Sequence, residues 1–223
     1  MKHTIYLLLI LVLTSCGAGK SEATTKTSDI QISYARHFKM EQRTGYVVVH
    51  ILQPETGKTE RSFALVKKEQ NPELPSDLIR IDVPVKNMAV LSTTHLGMLN
   101  VLNELRCVKG TTGEAFISNR QIKKGIRTGE IIAFNDEASI TPERLLSKHI
   151  SVVMYSGFGK EFPNDAKLQK LGIFPMANYD WREEHPLGKA EWVKLFGYLT
   201  GTEEKATAYF EELKSTYFTL TKE

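Results

Sequence analysis

Hydrophobic and polar positions change rhythm several times along the chain. Residues 5–13 are a short apolar run behind Lys2 and His3, and Leu13-Thr14-Ser15-Cys16 follows at once. The run falls short of the roughly 20 residues that span a bilayer. It predicts an export signal over 1–16, with Cys16 as the lipid-bearing N-terminus left after cleavage. Positions 17–29 are mostly Gly, Ser, Thr, Ala and Lys, which predicts a flexible tether. From 30 to 80 the pattern is β: Tyr46–Leu52 is a nearly unbroken apolar stretch, residues 54–58 offer a turn, and Arg61–Val66 partly alternates, so a hairpin is expected. Pro72 and Pro75 then make 71–76 a loop and put a boundary near 70–80.

Beyond that boundary strands and helices alternate. Strands are expected at 87–92, near 107–108, at 131–134, at 150–155 and at 173–177. Helices are expected at 94–105, where Leu96, Leu99, Leu102 and Leu105 share a face, after the Thr141 cap with Pro142 in the first position, and at 165–171. This alternation predicts an α/β lobe over 81–188 with a mostly parallel sheet, three layers deep, preceded by the β-hairpin extension. Residues 189–223 read as helical: one helix closes at Gly201, and Thr202 caps a second, long one. On that second helix Ala206, Phe210, Leu213 and Tyr217 lie on one face, which needs a partner.

The 223 residues carry 29 basic and 26 acidic side chains, for a net charge of +3. No basic stripe is concentrated enough to track a phosphate backbone, so nucleic acid is not expected as a partner. With Cys16 lipidated, Cys107 is alone and no intramolecular disulfide can form; its expected place is the core.

In an open parallel sheet the carboxyl ends of the strands present loops to ligands. The loops that qualify are Ser92-Thr93-Thr94-His95, Thr111–Glu114, Tyr155-Ser156-Gly157-Phe158-Gly159 and Asn178-Tyr179-Asp180-Trp181-Arg182. The candidate ligand contacts are Thr93, Thr94, His95, Tyr155, Phe158, Tyr179, Trp181 and Arg182: hydroxyls, flat aromatic faces and one fixed cation, suited to a bulky ligand with carbonyl or anionic groups. Several are open to a second role. Thr93, Thr94 and His95 also suit a helix start, Tyr155 and Phe158 also suit packing, and Trp181 also suits a domain interface. A serine nucleophile elbow is excluded because Met154 and Phe158, not glycines, flank Ser156 at two residues' distance. Gly157 and Gly159 lack the further spacing of a phosphate loop. His95, Glu114, Asp180 and His185 would suit zinc or manganese if they converged, but no short ligand spacing supports a metal site.

From Pro84 to Lys194 the chain resembles the substrate-binding proteins of ABC importers in the iron–siderophore, haem and vitamin B12 class. The resemblance rests on Ser92-Thr93-Thr94-His95, Thr141-Pro142-Glu143-Arg144-Leu145-Leu146 and the stretch from Tyr179 to Trp192. It implies two α/β lobes joined by a long helix, a metal chelate (siderophore, haem or cobalamin) clamped between them, delivery to a membrane permease, no catalysis and no cofactor. It also implies that Glu143 docks on the permease, that the protein is lipid-anchored on the periplasmic or outer side of a bacterial membrane, and that a second lobe follows the helix. Since the sequence finishes at Glu223, truncation after the first lobe is expected. Where relatives have Pro-Asp, this chain has Ile150-Ser151. The competing readings are a direct zinc or manganese binder, and an adhesion or scaffold lipoprotein that has lost transport.

Overall fold

The computed structural model describes residues 28–158 and 161–221. Cys16, the export signal and nearly all of the tether lie outside the described residues, as does Gly159 of the glycine loop.

The N-terminal part is a five-stranded sheet in chain order: β1 (Ser28–Ile30), β2 (Phe38–Arg43), β3 (Tyr46–Leu52), β4 (Thr59–Lys67) and β5 (Ile79–Val83). The first four pair antiparallel, and β5 pairs parallel with β4. The expected hairpin is β3–β4, and it forms the middle of this larger sheet. β3 is apolar almost throughout because both of its faces are covered. Val47, Val49 and Ile51 enter the main core, while Tyr46 and Val48 pack with Ala64 and Val66 beneath Leu74 and Leu78 of the proline loop. Gly45 holds φ +86° in the tight turn between β2 and β3, a backbone conformation a side chain would strain.

A second five-stranded sheet carries β6 (Met88–Val90), β7 (Val108–Thr112), β8 (Ile132–Phe134), β9 (Val152–Ser156) and β10 (Phe174–Asn178), in the order β10-β9-β6-β7-β8. Every neighbouring pair is parallel. Between these strands lie α1 (Thr93–Val101), α2 (Arg120–Arg127), α3 (Pro142–Leu146) and α4 (Asp165–Lys170). The chain steps outward from β6 to β8 and then returns to β9 on the other side of β6. Right-handed crossovers therefore put α1 and α2 on one face of the sheet and α3 and α4 on the other. This is the layered α/β lobe that the alternating pattern predicts.

The chain ends in α5 (Pro186–Glu191), α6 (Val193–Thr200) and α7 (Glu203–Leu220). The helix expected from residue 189 thus begins three residues earlier, on Pro186, and is interrupted at Trp192. Gly201, at φ +72°, ends α6 as expected. Thr202 does precede α7, but its side chain caps nothing: its hydroxyl meets that of Thr200 at 2.9 Å. The helix expected over 94–105 stops at Val101, and residues 105–107 form a separate short turn of 3-10 helix. On α7, Ala206 and Phe210 are buried and Leu213 and Tyr217 are partly covered, so the apolar face finds its partner largely within this chain. Cys107 is buried in the core, and burial pushes its thiol up to about 12.

Two carboxylates fasten the N-terminal segment to the lobe. Glu191, with no exposed surface, accepts hydrogen bonds from the amides of Ser33 (3.0 Å), Tyr34 (2.7 Å) and Ala35 (3.0 Å) and from Lys194 Nζ (2.8 Å). Glu183 accepts from the amides of Arg36 (3.0 Å) and His37 (3.1 Å) and from Trp192 Nε1 (3.1 Å). Gly188 leaves room for this seam, since a Cβ there would lie 2.9 Å from the Tyr34 carbonyl oxygen.

Candidate functional site

All five strands of the second sheet run the same way, so their carboxyl ends share one edge. The direction of winding reverses between β6 and β9, and at such a switch point the loops diverge and leave a crevice. Its two lips are Ser92–Thr94, after β6, and Gly157–Phe158, after β9. The loop after β10 stands beside the second lip.

On the first lip Ser92 is the helix cap. Its hydroxyl accepts from the Thr94 amide at 3.3 Å, which leaves Thr93 and Thr94 exposed in the first turn of α1. His95 turns inward. It has no exposed surface, its ring lies 5.8 Å from that of Phe196, and neither ring nitrogen has a partner among the described residues. Burial pushes its pKa down to about 3, so the ring is neutral at ordinary pH.

On the second lip Phe158 and Trp181 stack at 5.2 Å while remaining 66% and 42% exposed, and the Arg182 guanidinium lies 5.3 Å from the indole. Arg182 also pairs with Glu55 at 3.2 Å, so its charge is shared with the N-terminal sheet. Asp180, buried beneath this group, has its pKa raised by burial; the Thr94 hydroxyl and the Trp181 amide beside it work in the opposite direction. Asp180 thus links the loop after β10 to the start of α1. Thr94, Phe158, Trp181 and Arg182 are brought to the same edge.

Tyr155 and Tyr179 occupy a different place, the seam between the two sheets. Both are buried. The Tyr179 hydroxyl donates to Glu60 at 2.6 Å, and its ring fills the space against Gly157, where a Cβ would come within 2.2 Å. Burial, then the hydrogen bond to Glu60, raises the Tyr179 pKa. Tyr155 packs on Phe162 at 4.9 Å. The sequence pattern missed Glu55 and Glu60, which lie more than 90 positions before the loops they meet and carry no local signal of that contact.

Among the described residues no three His, Cys, Asp or Glu side chains come together to hold a metal ion. Of the four suggested by the sequence, His95 is in the core, Glu114 is exposed in the turn after β7, Asp180 faces Thr94, and His185 caps α5, its Nδ1 accepting from the Leu187 amide at 3.0 Å. Glu143 is exposed in the first turn of α3, 3.7 Å from Lys167. Its own amide and the Thr141 hydroxyl hold its carboxyl below the usual range. The neighbouring Arg144 spans the preceding loop, donating to the carbonyls of Ser139 (3.1 Å) and Ala133 (3.0 Å).

No family model matches the chain. It is 28% identical over 141 residues to an uncharacterized lipoprotein of Methanocaldococcus jannaschii, a match covering 60% of this chain and 34% of that protein. Similar solved structures include the ABC-type Fe3+-hydroxamate transport system of Saccharomonospora viridis (14% identity, TM-score 0.44, 60% of this chain and 49% of that one). A periplasmic heme binding protein of Pseudomonas aeruginosa is another (11%, TM-score 0.45, 58% and 43%). A third is a possible iron-binding periplasmic protein of Staphylococcus epidermidis (16%, TM-score 0.46, 58% and 48%). The chain spans about a third of the curated relative and less than half of each of these structures.

Proposed function

We propose that this chain captures a solute at the crevice between Ser92–Thr94 and Gly157–Phe158, and that the solute is a metal chelate of the siderophore, haem or cobalamin kind. The observation that carries the reading is the exposed Phe158–Trp181 stack beside Arg182, set at the switch point of a parallel sheet. An exposed aromatic pair is unfavourable in water unless something flat covers it. Thr93, exposed at the start of α1 on the same edge of the sheet, would offer its hydroxyl to orient carbonyl or hydroxamate oxygens. In this reading the chain is a binding protein and not an enzyme. Lipidation of Cys16 would hold it at the outer or periplasmic face of a membrane, and Glu143 would meet an ABC permease.

Trp181 provides the test. Haem, cobalamin and a ferric hydroxamate are titrated separately while tryptophan emission is followed in the wild type and in Trp181→Ala, which keeps the buried Trp192 as an internal reference. One chelate is expected to quench saturably, with affinity falling about tenfold or more in the variant through loss of the stacking surface. If no chelate quenches saturably, or if the variant binds as tightly as the wild type, the reading fails.

A further inference from the structure

Helix α2 (Arg120–Arg127) carries four cations and no acidic side chain. Arg120, Lys123, Lys124 and Arg127 recur at steps of three and four, so they share one face, and all four are exposed. None is in an ion pair among the described residues. The opposite face fixes this orientation. Ile122 is fully buried, Ile126 packs on the core, and Gly125 lies so close to Ile131 that a Cβ would come within 2.6 Å of it. The helix therefore cannot roll its cations inward. Glu130, the acidic residue nearest to it in sequence, is already held by Lys109 at 2.9 Å. Lys148 adds a further cation at the helix end, where its Nζ donates to the Gly129 carbonyl at 2.6 Å.

The second observation is that this arrangement works against the helix that carries it. Arg120–Lys124 and Lys123–Arg127 are like-charge pairs one turn apart, and Arg120 sits at the first helical position, where the positive end of the helix dipole repels a cation. A solvated helix face ordinarily mixes signs and gains from such spacings. Here no carboxylate among the described residues offsets the repulsion, so the face is one that external anions would stabilise. No large exposed apolar side chain lies between the cations, which suits contact with a charged surface and not insertion into it. At about 1.5 Å per residue the stripe is only about 10 Å long, too short to follow a nucleic-acid backbone but matched to a few neighbouring headgroups.

We propose that the α2 face rests on an anionic lipid bilayer, with Arg120, Lys123, Lys124 and Arg127 meeting phosphodiester headgroups. The choice of a bilayer rests on the anchoring at Cys16 in the proposed function. The residues between Cys16 and Ser28 reach at most about 40 Å, which keeps this face at high effective concentration beside the membrane. Each cation beside an anionic leaflet strengthens association about fivefold, so the face orients a chain that is already held nearby. α2 lies on the opposite face of the sheet from α3, so this contact leaves Glu143 uncovered.

Lysine footprinting of the full chain on vesicles tests the proposal, with an amine-acylating reagent and mass spectrometry as the readout. Vesicles of phosphatidylcholine alone are compared with vesicles holding about 30% phosphatidylglycerol, at about 0.05 M salt. On the anionic vesicles Lys123 and Lys124 should acylate about fivefold more slowly, and the protection should vanish at about 0.5 M salt, where screening shortens the reach of surface charge. Lys167, exposed on α4 across the sheet, should label equally on both. Arg120→Gln combined with Arg127→Gln keeps both reporter lysines; it should remove most of the protection while the thermal midpoint holds, since both arginines are exposed. The same spectra report whether Cys16 carries lipid, so a failed anchor and a failed α2 contact are read separately. The proposal is overturned if Lys123 and Lys124 label alike on the two vesicles, if Lys167 is protected as strongly, or if the double variant keeps the protection. It is overturned too if dissolved polyglutamate at equal charge protects them more than the anionic vesicles do, which would assign the face to an acidic protein.

Discussion

Replacing Glu191 by glutamine changes one atom type in the core and should be among the most damaging single substitutions in the chain. The carboxylate has no exposed surface and collects the amides of Ser33, Tyr34 and Ala35 together with Lys194 Nζ. Glutamine keeps one acceptor oxygen but turns an NH2 group toward donors. Lys194, with 7% of its side chain exposed, keeps only the Gln31 carbonyl at 3.1 Å and the face of Phe210 at 4.4 Å. Removing one member of a buried pair strands the other charge, at a cost of about 3–5 kcal/mol. For a chain of this size each kcal/mol lowers the thermal midpoint by about 2–4 °C, so a fall of about 6–20 °C is expected at pH 7.

Glu184→Gln is the matched control, because its pair with Arg36 at 3.3 Å is exposed on both sides and is worth about 0–1 kcal/mol. The pH dependence has a definite sign. Burial alone would raise the Glu191 pKa, but Lys194 and the three amides outweigh it and hold the carboxyl below its ordinary value. A lowered folded pKa gives stability that is present above the unfolded value of about 4.3 and is lost as pH falls through the folded one. The gap between wild type and Glu191→Gln should therefore narrow in acid. Thermal unfolding followed by circular dichroism reads all of this. If Glu191→Gln melts within about 2 °C of the wild type, or if Glu184→Gln is equally damaging, the seam is not held as described.

Three further outcomes can be checked. Gly197→Ala should destabilise despite a gain in helix propensity of about 1 kcal/mol, since the new Cβ would lie 2.4 Å from that of Ala206 and 3.2 Å from the Thr202 oxygen. Overpacking of about 1–3 kcal/mol wins, and a lower thermal midpoint is the readout. Glu143→Ala should leave chelate affinity within about twofold while reducing permease-dependent uptake, because the side chain is exposed and its ion-pair partner is the exposed Lys167; equal loss of binding would contradict the docking role. Mass spectrometry of the mature N-terminus should find a lipidated Cys16, and an unmodified chain retaining Met1 would remove the lipoprotein reading.

The second sheet was readable from sequence because its strands are buried on both faces and appear as short apolar runs, such as Val152–Tyr155, between helical stretches. The strands that flank the β3–β4 hairpin were not. β2 reads Phe-Lys-Met-Glu-Gln-Arg and turns only Phe38 and Met40 fully inward, and β5, with Ile81 and Val83 inward and Asp82 outward, sits between Pro75 and Pro84. Neither carries enough apolar weight to stand out from loop. The position of Thr93, Thr94, Phe158, Trp181 and Arg182 just beyond strands β6, β9 and β10 was legible because strand ends in an α/β alternation are predictable. The inward turn of His95 was not, because it depends on where α1 starts. The cap is Ser92, one residue earlier than the threonines, and that phase aims position 95 at Phe196.

The stretch from Tyr179 to Trp192 was the most specific part of the resemblance, and most of its distinctive residues have structural work. Glu183 and Glu191 bind backbone amides of residues 33–37, Trp192 donates to Glu183, His185 caps α5, and Gly188 gives the crossing segment at Tyr34 its clearance. Only Trp181 and Arg182 face the crevice, and Tyr179 faces the seam. Such a motif can specify how an N-terminal segment docks on an α/β lobe without specifying a ligand, because the groups that make it distinctive are spent inside the protein. Function resides in sites carried by a fold, not in the fold itself. In the proposed binding role, ligand identity would be set by the short loops that the motif leaves free, above all by Phe158 and Trp181, whose side chains are exposed.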